Sequence, residues 1–143
     1  MNIEQVLKDW AVNYVKHKDI IRRQIVDIEI RDDRLVVKEK NGSYEVLIRP
    51  VLDGFANEVP ESGKCLVVTL NSEKNMKALV VAWDAVKRIP GLTIIFVNPA
   101  SDVPQYWALV PKTHAIVADE SSLLQGFKSL SESVALVDNS VGK

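Results

Sequence analysis

Three polar residues stand where α/β proteins usually carry out their chemistry. Asn71, Asn98 and Asp119 each lie at the end of an apolar run: CLVVTL (65–70), LTIIFV (92–97) and HAIVA (114–118). If those runs are parallel neighbours, their carboxyl ends converge at one sheet edge, beside helix starts near Ser72, Ser101 and Ser121. Helix amides there could hold an anion, and Asp119 or Glu120 could orient a hydroxyl or a hydrated cation. Asn71, Ser72, Asn98, Asp119 and Glu120 are therefore the candidate ligand-binding residues. The same residue types are also the standard caps of strand-to-helix junctions, where no ligand is required.

No sharper motif accompanies them. Gly54 and Gly63 lie outside any strand, glycine turn and helix arrangement, and Gly63-Lys64 precedes a strand, the wrong context for a phosphate loop. His17, His114 and Cys65 are scattered, without the short spacing of metal ligands, so no metal site is expected and no cofactor is required. Two histidines and dispersed serines do not assemble an acylating triad. Cys65, the one cysteine, opens an apolar run and reads as a small core residue.

The elements that would position these residues follow from periodicity. Ile3, Val6, Leu7, Trp10, Ala11 and Tyr14 form one stripe of a helix over 3–16, with Asn2 as its cap. After VKHKD the pattern turns extended. Ile28 and Ile30 alternate with charged residues, LVVKEK follows a turn at Asp32-Asp33, and Asn41-Gly42 introduces a third strand, SYEVLIRPVL. Tyr44, Val46 and Ile48 fall on one face of that strand and Glu45, Leu47 and Arg49 on the other. Residues 53–64 form a loop with a short turn near Phe55. A strand over 65–70, a helix from Ser72 to Arg88 and a strand over 92–97 then make a strand–helix–strand unit. One or two helical turns are expected in VPQYWALVP, strands in HAIVA and VALV (134–137), and a last helix from Ser121 to Ser133.

The expected fold is thus α/β, or α+β. A mixed sheet joins an N-terminal helix and antiparallel meander to β-α-β-α-β-α-β units in a single compact domain, 1–143. A subdivision at 1–52 and 64–138 is the alternative, and 139–143 reads as a frayed tail. The opening α-β-β-β order loosely resembles restriction-endonuclease-like nucleases. That resemblance implies an acidic residue on the central hairpin and an acidic-x-Lys element binding magnesium. Here Asp32 and Asp33 sit in a turn, Lys38-Glu39-Lys40 does not supply the element, and Glu45 is followed by Val46-Leu47. The strand at 65–70 also departs from that order.

Composition narrows the partners. Lysine and arginine number 18 against 19 acidic residues, for a formal net charge of -1, so no long-range field favours nucleic acid. Lys16, Lys18, Arg22 and Arg23 cluster, but acidic residues intersperse the basic ones around them; nucleic acid is an unfavoured partner that the sequence leaves open. The apolar runs are too short to span a membrane, and the first residues carry no apolar signal core, which makes the cytoplasm the expected location. By elimination the leading reading is a non-catalytic protein-interaction or regulatory module, with a protein partner or a homo-oligomer. Phe55, Tyr106 and Trp107, in irregular segments, are its candidate contact residues. A small-molecule or divalent-cation enzyme with its site at the strand ends, and a nucleic-acid-processing protein, are the competing readings.

Overall fold

The computed structural model describes residues 2–100, 106–117 and 120–134. It is a mixed α/β domain built on one six-stranded sheet, whose strands lie side by side in sequence order. They are β1 (Ile25–Ile30), β2 (Arg34–Glu39), β3 (Gly42–Ile48), β4 (Cys65–Leu70), β5 (Leu92–Val97) and β6 (Tyr106–Leu109). The first three form the expected antiparallel meander, β3, β4 and β5 run parallel, and β6 returns antiparallel.

The N-terminal helix α1 (Ile3–Arg22) is capped as expected, Asn2 Oδ1 accepting from the Glu4 N–H at 2.9 Å. It runs past Lys16, through the charged segment, because nothing there breaks a helix. What stops it is Arg23, in the left-handed conformation at φ 52°. The Asp19 carboxylate holds that turn by accepting from the Gln24 and Ile25 amides at 2.8 and 3.0 Å. This reversal lays β1 back beneath the helix.

Alternation in β3 decides the two faces of the sheet. Tyr44, Val46 and Ile48 join Leu66, Val68, Leu70, Ile95 and Val97 under Leu7, Ala11 and Val15 of α1. Leu47, Val67, Ile94 and Phe96 face the other way, toward Met76, Leu79, Trp83 and Val86 of α2 (Glu73–Val86) and Phe127 of α4 (Leu123–Leu130). The sheet is therefore sandwiched, among the described residues, with α1 on one face and the other α-helices on the opposite one. The crossover from β3 to β4 uses no α-helix. A loop with one 3-10 turn (Phe55–Glu58) makes it, and Leu52, Phe55 and Val59 fill the space a helix would occupy.

Three expectations change in the C-terminal third. His114 to Val117 of HAIVA, expected as a strand, are part of helix α3 (Pro111–Val117), and Ala118 lies outside the described residues. Pro111 suits a first helical turn, since its ring presets φ and the missing N–H costs nothing there, and the His114 N–H closes the turn onto Val110 O at 2.9 Å. VPQYWALVP, expected as helical turns, contains β6, where Trp107 and Leu109 point into the core beneath α2 while Tyr106 turns to the opposite, α1 face. That period of two is the strand signal. The final helix is shorter than Ser121–Ser133: α4 is flanked by 3-10 turns at Glu120–Ser122 and Ser131–Ser133. Val134 follows the last turn, and the rest of the expected strand, 135–137, lies outside the described residues, as does the tail 139–143.

Gly91 marks the tightest backbone approach. Cys65 N donates to Gly91 O at 2.9 Å, and a Cβ at Gly91 would overlap the carbonyl of Gly63. Gly91→Ala is expected to destabilise the domain by about 3 kcal/mol, the upper range for overpacking, because backbone rather than a side-chain tip must yield. Urea unfolding measures this.

Candidate functional site

The structure brings Asn71, Ser72 and Asn98 together at the carboxyl ends of β4 and β5, and gives each a local partner. The Asn71 N–H donates to Val97 O at 2.8 Å, joining the two strand ends. Its buried side chain links a side chain and a backbone carbonyl: Oδ1 accepts from Trp107 Nε1 at 2.8 Å, and Nδ2 donates to Val134 O at 3.1 Å. Ser72 caps α2, its Oγ accepting from the Asn75 N–H at 3.2 Å. Asn98 Oδ1 accepts from the Ala100 N–H at 3.0 Å, an Asx turn. Asp119 lies outside the described residues, and Glu120 opens the short turn before α4.

The central residue at this end was not among the expected ones. Asn75 is 2% exposed and ties three segments together. Its Nδ2 donates to Pro50 O at 2.9 Å and to Leu70 O at 3.0 Å, while Oδ1 accepts from the Leu52 N–H at 3.0 Å. One amide thus satisfies the backbone where β3 leaves the sheet and where β4 ends. The sequence does carry a signal for it: Asn75 stands in the apolar stripe with Leu79, Trp83 and Val86, where a polar residue must find buried partners.

The three candidate contact aromatics are packed inward. Phe55 is 1% exposed and Trp107 is 7% exposed, the latter stacked on Phe96 with centroids 4.4 Å apart. Tyr106 meets Trp10 and Tyr14 of α1 edge-on, at 5.4 and 5.3 Å.

One open, largely aliphatic surface is at the other side of the sheet. β1 is an edge strand. Between it and α1 runs a cleft of about 510 Å³, lined by Val12, Ile20, Ile25, Val26, Ile28 and Ile30 with charged residues at its rim. Ile20, Val26 and Ile30 are each more than half exposed, as is Ile21 next to Ile20. A bulge between Ile25 and Asp27 turns Val26 outward. The Arg31 N–H bonds to Arg34 O at 2.9 Å. Ladder alternation then directs Glu29 toward β2 as well and leaves the amides and carbonyls of Ile28 and Ile30 facing the open side. On the sheet's opposite face, Glu29 pairs with Arg31 at 3.0 Å and Lys38 at 3.6 Å.

A smaller cavity of about 270 Å³ lies under the end of α1, among Tyr14, Arg22, Glu39, Tyr44 and Lys64. The Lys64 ammonium sits 4.1 Å from the centre of the Tyr44 ring. Burial lowers the Lys64 pKa, and burial, then the Glu39 charge, pushes Tyr44 up to about 12.

Most cations of the meander are paired. Arg34 bridges Asp33 at 3.1 Å and Glu45 at 2.7 Å, and Arg49 reaches Asp33 and Glu58. The hydrogen bond from Arg34 is the main cause holding Asp33 below the usual carboxylate range. Among the described residues no group of three His, Cys, Asp or Glu side chains could hold a metal ion, and no helix is long and apolar enough to cross a membrane.

Asn75→Ala orphans several buried backbone groups at once. It is expected to cost about 4 kcal/mol in chemical denaturation, at roughly 1–3 kcal/mol per unsatisfied group, whereas Ser72→Ala removes one cap at about 1 kcal/mol. Burial, with the Glu45 charge second, pushes the Cys65 thiol up to about 11. Folded protein at neutral pH therefore carries little thiolate. Its reaction with an aromatic disulfide reagent at about pH 8 should be at least about 100-fold slower than that of free cysteine, until denaturant is added.

No family model, curated protein or solved structure matches the chain.

Proposed function

We propose that this domain is a non-catalytic interaction or regulatory module that docks its partner along the open edge of β1. The observation that carries this reading is the coincidence of two unsatisfied demands in one place. Exposed aliphatic side chains cluster on α1 and β1, at Ile20, Ile21, Val26 and Ile30. Beside them Ile28 and Ile30 present main-chain donors and acceptors that no strand among the described residues takes up. Apolar surface gathered into a cleft, next to a free strand edge, suits an extended segment laid against β1, which supplies ladder hydrogen bonds and buries alternate side chains against the aliphatics. Edge strands that only need protection are usually blunted by charge. Here the Glu29 carboxylate is turned to the sheet's other face, where Arg31 and Lys38 hold it, and six aliphatic residues line the cleft beside the charged Lys16, Asp19, Arg23 and Asp27.

Amide exchange measured by NMR tests the reading. In dilute protein the Ile28 and Ile30 amides should exchange much faster than those of Glu29 and Arg31. A synthetic peptide alternating isoleucine with lysine, matched to the aliphatic cleft and the acidic pair Asp27 and Glu29, should slow exchange at Ile28 and Ile30. Ile30→Lys should abolish that protection without lowering the melting temperature, since Ile30 is 60% exposed. Shifts induced elsewhere, with the edge left unprotected, would overturn the proposal.

A further inference from the structure

We infer that the segment taken up by the β1 edge is β1 of a second copy of this chain, paired antiparallel about Glu29. The inference rests on the reading of that edge as a docking surface and adds the identity of its occupant. It is carried by the way the strand's own pattern complements itself.

A two-fold axis through Glu29 places Ile28 opposite the partner's Ile30, and Ile30 opposite the partner's Ile28. These are the residues whose amides and carbonyls face outward, so each such pair can exchange two main-chain hydrogen bonds. Their side chains meet over the cleft, where Ile20 and Val12 of α1 already offer apolar surface. On the opposite face the same register sets Asp27 against the partner's Arg31, and Arg31 against the partner's Asp27. Glu29 meets the partner's Glu29 at the centre, but each carboxylate is already held by its own Arg31 and Lys38. Asp27, Glu29, Arg31 and Lys38 carry no net charge together, so the patch formed by two copies is neutral.

Neighbouring registers lack this match. Centring the axis on Ile28 puts Asp27 against the partner's Glu29, two like charges directly opposite, which is destabilising. Centring it on Ile30 moves Ile28 against the partner's Asp32, in the turn beyond the strand. The bulge at Val26 limits how far pairing can extend in the other direction. The product is one continuous sheet with the two α1 helices on the same face.

Sedimentation across a range of concentrations tests this, with charge-swap variants as the decisive arm. The wild-type chain is expected to dimerise. Asp27→Arg should weaken the dimer at least tenfold (about 1.4 kcal/mol) by opposing two arginines, and adding Arg31→Asp should restore it. Thermal melts of the variants check that each is folded. Glu29→Cys should give a disulfide-linked dimer on oxidation, because opposed residues of a non-hydrogen-bonded pair lie within disulfide reach and Cys65 is buried. A chain that remains monomeric overturns the inference, as does a dimer indifferent to Asp27→Arg and uncrosslinked through Glu29→Cys. In either case, continued protection of Ile28 and Ile30 by the isoleucine–lysine peptide shows that the docking surface stands with a different occupant. Loss of that protection too removes both readings.

Discussion

A single buried side-chain amide holds the middle of this domain together. At Asn75 the departing β3, the loop after it, the end of β4 and the first turn of α2 meet, and none of these is joined to all the others by a regular ladder. A parallel crossover without an α-helix leaves loop backbone over the core, and buried backbone groups must be paired. Asn is suited to the task because its amide offers two donors and an acceptor in a rigid plane without burying a charge. Asn71 does the same one layer away, linking the strand ends to Trp107 and Val134. The carboxyl ends of β4 and β5, where α/β domains often leave a crevice, are here occupied by the protein's own hydrogen bonds.

That division of labour gives the sheet two unlike margins. Near β6, aromatic rings and buried amides close the structure. At β1, a bulge and a left-handed turn bring the chain to the rim with its aliphatic side chains exposed. The helix α1 touches both, packing Trp10 and Tyr14 against Tyr106 while Val12 and Ile20 line the cleft beside β1. Apolar residues on α1 therefore serve two purposes according to their angle around the helix, core on one side and open surface on the other.

Much of the fold was legible because its signals are local. The meander follows from alternation and a tight turn. The strand–helix–strand unit follows from two continuous apolar runs around an amphipathic segment capped by Ser72. HAIVA was misleading because a short apolar run does not distinguish strand from helix, and the proline three residues before it was the better guide. YWAL was overlooked because four residues between two prolines leave little room to display a period of two. Asn71 and Ser72 were found from their positions, but whether such groups wait for a ligand or serve the backbone depends on Trp107, Val134 and Asn75, which lie far from Asn71 or Ser72 in sequence or on a face that only packing defines. The β1 edge was harder still. Alternation of Ile28 and Ile30 with charges predicts a strand, but being outermost is a property of strand order, which no local pattern contains.

That strand order has a kinetic meaning. Because every strand pairs with the one just before it in the chain, no segment must be threaded between two already formed, and each new ladder closes only the short loop that separates neighbours. The entropy of loop closure grows with the logarithm of loop length, so the sheet can be laid down from the amino terminus in successive inexpensive steps. The longest of these that no α-helix shortens spans Arg49 to Lys64 before β4 can settle on β3. Assembly should slow at that step, and an incomplete chain would display β3, rather than β6, as its second raw edge.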